Sequence, residues 1–290
     1  MLVVALVALV FGRRDIIGGM VAFPLSLVTT SPIRPIDFNV EADISSVQDE
    51  ASELERRLQA LHRVAPLITP PMLKDGWTRI VLVRHGRTPS NRLDLCRGTQ
   101  IDDPLDAVGR VQARRAGEAL RMLSVDAYFC STLVRARKTA LAIVEGNSIQ
   151  THDQKKTDIG TLACLNELSY GSLEGKFVER PFGLNVNLCS SSFARFDGGE
   201  SAEAAAERAR LSLETLAAGG GQDRTVVAVT HGDFLHSLLG EALARDPDAV
   251  VSTAPKIANC GISVVDVHAG SGRTSVKVLN SVAHLEKAPS

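Results

Sequence analysis

Three short apolar runs set the frame of this chain. They are Ile80-Val81-Leu82-Val83, Ala127-Tyr128-Phe129-Cys130 and Thr225 to Thr230. The first is β-branched, bounded upstream by Asp75-Gly76, and carries no polar alternation, as expected of a strand buried on both faces. Gly261 to Val267 and Thr274 to Leu279 read as two further strands. Between the runs lie helical stretches rich in Ala, Leu, Glu and Arg. Asp106 to Leu123 is one; Leu133 to Glu145, capped by Ser131, is the next. Ser201 to Ala218 ends at Gly219-Gly220-Gly221, and a fourth follows His231-Gly232 through Leu243. Alternation of strand and helix predicts an α/β fold: a three-layer α/β/α sandwich with a mainly parallel central sheet.

Upstream the pattern changes. Val47, Ala51, Leu54, Leu58 and Leu61 form a narrow apolar stripe among Glu50, Glu53, Glu55, Arg56 and Arg57, which predicts a helix over 45–64. It can pack on the main domain or take a partner helix. Pro66, Pro70 and Pro71 then break the chain. Leu2 to Phe11 is an unbroken apolar run, too short to span a bilayer and of signal-peptide length, yet Arg13-Arg14 follow it. Residues 1–40 are thus either a targeting segment or a disordered extension, residues 41–75 a helical segment with a Pro-rich linker, and residues 76–285 the main domain. The location is cytoplasmic or, with a targeting segment, an organelle such as a plastid.

Composition narrows the function. At 290 residues, 44% hydrophobic, 22% charged and with net charge −1, the chain is ordinary for a globular protein and has no electrostatic footprint for nucleic acid. Cys96, Cys130, Cys164, Cys189 and Cys260 are scattered and odd in number, with no Cys-x-x-Cys pair, so neither a disulfide framework nor a zinc cage is expected. No cofactor is implied, and a homodimer is left open.

The candidate chemistry sits where strands end. Two apolar strands each deliver a His-Gly step, His85-Gly86 and His231-Gly232, to what a parallel sheet makes the same edge. Arg84 precedes the first, and Arg135 lies in the first turns of the helix after Ala127–Cys130. Neighbouring strands are about 5 Å apart, so two imidazoles and two guanidiniums can meet around one compact polyanion. Such a cationic site has little use for a metal, and no metal site is expected.

Arg84-His85-Gly86-Arg87-Thr88-Pro89-Ser90-Asn91 resembles the R-H-G-x-T-x-x-N signature of the histidine phosphatase superfamily, in its phosphoglycerate mutase-like branch. The resemblance continues in order. Asp103-Pro104-Leu105 with Gly109, Gln112 and Ala113 is similar to P-L-T-x-x-G-x-x-Q-A, and Ser131 to Ala136 with Thr139-Ala140 to S-x-L-x-R-A-x-x-T-A. Leu165-Asn166-Glu167 with Gly171, Glu174 and Gly175 is similar to L-x-E-x-x-x-G-x-x-E-G; Gly198-Gly199-Glu200-Ser201, Thr230-His231-Gly232 and Asn259-Cys260 match too. The resemblance implies that His85 carries the phosphoryl group as phosphohistidine, its tautomer fixed by a backbone carbonyl. Arg84, Arg135 and His231 then hold the phosphoryl oxygens, and Asn91 and the Gly232 amide add hydrogen bonds. Glu167 serves as general acid, then base. Arg97 and Arg87 are candidates for substrate beyond the phosphate, Thr132 for a hydroxyl near the site, and Glu174 for bracing the Glu167 loop.

Two departures bear on these expectations. Asp106 stands where the family has a Thr or Ser helix cap, a role Asp can fill. His231 follows Glu167 by 64 positions, an interval shorter than that of glycolytic mutases, whose insertion closes over a bisphosphate. With water admitted to the phosphohistidine, hydrolysis outruns transfer back to substrate. The expectation is a metal-independent phosphomonoester hydrolase for a small phosphorylated metabolite. The alternatives are a phosphoglycerate mutase or a non-catalytic phospho-ligand module. Selection among substrates is assigned to Leu173 to Phe196, with Phe177, Phe182, Phe193 and Phe196 as a partly apolar cover or core.

Overall fold

The structure is a computed structural model, and it describes residues 40–59, 68–93, 95–147, 158–175, 198–218, 223–249 and 256–285. The N-terminal extension through residue 39, the last five positions of the helix predicted over 45–64, Pro66, Gly219-Gly220-Gly221 and residues 176–197 with their four phenylalanines lie outside the described residues.

Among the described residues six strands form one sheet: β1 (Trp77–Arg84), β2 (Ala127–Cys130), β3 (Ile159–Thr161), β4 (Thr225–Thr230), β5 (Ile262–His268) and β6 (Thr274–Ser281). Their order is β3-β2-β4-β1-β5-β6. β1 to β4 are mutually parallel, and β5 alone runs against both of its neighbours. The predicted mainly parallel sheet is present. β3 was not foreseen, because three residues at a sheet edge leave no periodicity to read.

The helices are α1 (Val40–Gln59), α2 (Pro89–Arg92), α3 (Ala107–Leu120), α4 (Val134–Asn147), α5 (Ala202–Ala218) and α6 (Gly232–Ala244). They cover both faces, and the strand alternation sorts the core between them. Ile80, Leu82, Val226 and Ala228 pack with Leu213 and Leu216 of α5 and Phe234, Leu235, Leu238 and Leu239 of α6. Val81, Val83, Val227 and Val229 face the other way, against Ala113, Ala116 and Leu120 of α3 and Ala136, Ala140 and Ile143 of α4. A central strand flanked on both faces has no polar side to show, which is why Ile80 to Val83 is apolar throughout. β1 and β5 also share a buried ion pair, with Arg79 Nε and Nη2 each 2.8 Å from a carboxylate oxygen of Asp266.

α1 starts earlier than the stripe predicts and lies on the domain. Val47, Ala51 and Leu54 pack on Ala107, Val108 and Val111 of α3. At its edge Glu50 pairs with Arg87 at 2.7 Å, and Glu55 pairs with Arg114. Asp106 caps α3 as expected, its Oδ1 accepting the Gly109 amide at 2.7 Å.

Candidate active site

β1 and β4 end side by side, with Arg84 in register with Thr230. The next residues, His85 and His231, therefore leave neighbouring strands at one edge. Their rings are 5.2 Å apart, tilted by 56°. Both are buried. The His85 amide donates to Thr230 O at 2.9 Å, and its Nδ1 lies 2.7 Å from Gly86 O. A carbonyl only accepts, so Nδ1 carries the proton and Nε2 keeps its lone pair. Burial, then His231 and the guanidiniums of Arg84, Arg135 and Arg97, hold the His85 pKa well below the ordinary imidazole value. Its neutral form is the one present near pH 7.

Gly86 follows His85 at the turn out of β1. Its backbone is not left-handed, and the need for glycine is steric. A Cβ there would stand 2.5 Å from Gly109 O; one on Gly109 would press on the Arg87 main chain, with N at 2.8 Å and C at 2.9 Å. The loop that carries His85 and the first turn of α3 touch backbone to backbone.

Arg135 enters from α4 and is 1% exposed. Its Nη1 donates to Ile101 O at 2.8 Å, its Nη2 to Gly98 O at 3.0 Å, and its Nε to His231 Nδ1 at 3.2 Å. The last bond fixes the other tautomer: a guanidinium only donates, so Nδ1 accepts and the proton of neutral His231 is on Nε2. Nε2 lies 2.7 Å from Ser131 Oγ, which also accepts the Leu133 amide and so donates to Asn166 Oδ1 at 2.8 Å. Sequence reasoning gave Ser131 to helix capping, the usual work of a Ser between strand and helix. Here the amide at the start of α4, Val134 N, goes to Asp102 instead. Ser131 and Asn166 belong to the site's support and were missed; both stood inside quoted motifs, but a tautomer network leaves no mark on spacing. Thr132, the hydroxyl candidate, also bonds Asn166 Oδ1, at 2.8 Å.

Arg84 ends β1 with Nη1 on Ile257 O at 2.6 Å and a buried Nε without an acceptor among the described residues. Its guanidinium lies against the start of α6: a Cβ on Gly232 would stand 3.1 Å from Arg84 Cζ, so glycine is what lets the cation lie there. Arg97, only 8% of whose side chain is exposed, bonds Thr88 Oγ1 and stands 3.4 Å from Asp103. It is near enough to act electrostatically on both histidines and on Arg84 and Arg135. Arg87 turns away, to Asp106 and Glu50. Asn91 Oδ1 accepts from Thr88 N and Asn259 Nδ2, which leaves its Nδ2 as the donor to offer a ligand.

Glu167 is buried behind this cluster. Its Oε1 accepts two short bonds, from Phe234 N at 2.8 Å and Leu168 N at 3.0 Å, while among the described residues Oε2 has only Asp233 N at 3.4 Å. Burial first, then the Asp233 carboxylate, raises its pKa against those backbone donors. Glu174 braces the neighbouring loops, accepting from Tyr170 N at 3.1 Å and Gln100 N at 2.8 Å. Of the remaining histidines, His268 packs on Trp77, His236 is exposed and His284 is buried, while His62 and His152 lie outside the described residues. Among the described residues no three of His, Cys, Asp and Glu are grouped as metal ligands, and no helix is long and apolar enough to cross a membrane. Three guanidiniums, two neutral imidazoles and one high-pKa carboxyl are a set suited to a tetrahedral dianion and to a proton for whatever leaves it.

The chain is similar to several known proteins. The sequence model of the histidine phosphatase superfamily (branch 1) matches residues 80–281. Fructose-2,6-bisphosphatase TIGAR of Xenopus tropicalis is 37% identical over 97 residues, 33% of this chain and 34% of that protein. The 2,3-bisphosphoglycerate-dependent phosphoglycerate mutase of Chlamydia trachomatis is 34% identical over 118 residues, 34% of this chain and 52% of that protein. The chain thus spans a third to a half of the length of these two relatives. Mycobacterial glucosyl-3-phosphoglycerate phosphatase, solved with VO3, superposes with a TM-score of 0.58 at 26% identity, covering 70% of this chain and 98% of that one.

Proposed function

The chain belongs to the histidine phosphatase superfamily, branch 1, and on that premise we propose that it is a phosphomonoester hydrolase that works through a phosphohistidine on a small phosphorylated metabolite. The observation that carries the reading is the pair of fixed tautomers: His85 presents an unprotonated Nε2 beside His231, inside a ring of arginines. In the first step the Nε2 lone pair attacks phosphorus. The bond to the leaving oxygen breaks, and that oxygen takes the proton from Glu167 Oε2, the oxygen without short backbone donors. In the second step Glu167 takes a proton from water, whose oxygen attacks phosphorus, and His85 leaves. Arg84, Arg97 and Arg135 face the equatorial oxygens, where charge gathers, with Asn91 Nδ2 and the Gly232 amide beside them.

His231 needs a free N–H to join them. Its one proton points to Ser131, and its Nδ1 is held by Arg135. Binding of a dianion therefore draws a proton onto Nδ1 and releases Arg135 Nε to the anion. A mutase would use the same residues; the short interval from Glu167 to His231 favours water as the acceptor. The test is an assay over a panel of phosphomonoesters without added metal, with His85→Ala as control. Hydrolysis that vanishes in the variant supports the proposal. Conversion of 3-phosphoglycerate to 2-phosphoglycerate faster than hydrolysis makes the protein a mutase, and no turnover of any ester makes it a binding module.

A further inference from the structure

Gly198-Gly199-Glu200-Ser201 has no part in the chemistry above, yet it is tied to the loop that carries Glu167. Gly199 pairs with Tyr170 in an isolated β-bridge, and Glu200 N donates to Ser169 O at 2.8 Å. The Glu200 carboxylate grips Arg208 of α5 with two bonds, Nε to Oε1 at 2.8 Å and Nη2 to Oε2 at 2.7 Å. The remaining arm of that guanidinium, Nη1, donates to Cys164 O at 2.9 Å and Asn166 O at 2.8 Å. Its flat face covers the Phe234 ring, Cζ lying 3.7 Å from the centroid.

Each of these contacts lands beside Glu167. Asn166 is the residue before it, and Phe234 donates the shortest bond its carboxyl receives. Arg208 therefore holds the two sides of the Glu167 seat, the turn that delivers the side chain and the helix start that receives it. Only a planar fork can meet a carboxylate, two carbonyls and a ring face at once; a lysine ammonium cannot. We propose that Arg208, oriented by Glu200, is a positioning residue for Glu167, and that it sets where the acidic proton stands relative to the leaving oxygen. The proposal rests on Glu167 being the general acid.

The test exploits the leaving group. Nitrophenolate departs without a proton, whereas an alkoxide must receive one, so kcat/KM for p-nitrophenyl phosphate bypasses the acid and kcat/KM for glycerol 2-phosphate requires it. A misplacement on the order of 1 Å costs about 100-fold in rate. Arg208→Lys is expected to lower kcat/KM for glycerol 2-phosphate about 10- to 100-fold and that for p-nitrophenyl phosphate less than about 3-fold. Glu200→Gln, which keeps size and removes only the ionic grip, should give the same pattern at smaller amplitude. Glu167→Gln in parallel should give it at about 100-fold or more. An equal fall on both esters in the Arg208 and Glu200 variants, or no fall on either, overturns the positioning role while the selective loss in Glu167→Gln stands. If Glu167→Gln itself lowers both esters equally, the general-acid assignment fails, and the inference with it.

Discussion

Gly109→Ala sets two effects against each other, and the structure decides between them. Gly109 is the third residue after the Asp106 cap of α3. On helix propensity alone, alanine there should stabilise by about 1 kcal/mol at most. Against this, the new methyl would press on three main-chain atoms of Arg87: its O, its N at 2.8 Å and its C at 2.9 Å. Backbone cannot swing aside as a side-chain tip can. The clash therefore falls at the upper end of overpacking penalties, about 3 kcal/mol. The net is a loss of about 2 kcal/mol, or about 4–8 °C in Tm for a domain of this size. The relief available to the chain is to push Arg87 outward, which drags the neighbouring Gly86 carbonyl that fixes the His85 tautomer. Activity should then fall by more than the unfolded fraction explains, about 10-fold or more in kcat at a temperature where the variant is fully folded. Thermal unfolding followed by circular dichroism, with turnover of p-nitrophenyl phosphate, reads both quantities. A Tm at or above the parent's, with unchanged kcat, would refute the backbone contact and the coupling to His85 together.

Other consequences follow from buried charge. His284 is 3% exposed, neither ring nitrogen has a hydrogen-bond partner among the described residues, and burial, with Arg115 adding to it, pushes its pKa down to about 4. The unfolded chain binds that proton near pH 6.5, so stability is full above 6.5 and declines by about 3 kcal/mol as pH falls to about 4; His284→Leu should flatten this decline in urea unfolding, and an unchanged slope would refute it. Asp266→Ala strands the Arg79 guanidinium beneath the sheet, with a loss of about 3–5 kcal/mol and no change in KM, since the pair lies near the opposite end of β1 from Arg84; a variant as stable as the parent contradicts the pair's burial. Vanadate binding at pH 7 should take up as much as one proton per site, read as a dependence of the calorimetric enthalpy on the buffer's ionisation enthalpy. Buffer-independent heat would mean that His231 keeps its tautomer.

The strands of this fold are written plainly because burial on both faces admits few residue types, and the convergence of His85 and His231 follows from parallel strands ending level. What escaped the reading depends on rotamers and on distant elements. Arg97 and Arg87 look alike in sequence. One is drawn inward by Thr88 and Asp103, the other outward by Glu50 of α1, 37 residues upstream. The Ser131–Asn166 bond spans 35 positions and no periodicity registers it. The cause of the raised Glu167 pKa, burial first and then Asp233, is visible only once α6 is packed against the loop.

The most direct test is to trap the protein during turnover of a 32P-labelled phosphomonoester and locate the label. Acid-labile, base-stable phosphate on His85, absent from His85→Gln, is the predicted result. Steady hydrolysis with no label at position 85, or with full activity in the variant, would contradict phosphoryl transfer through this imidazole.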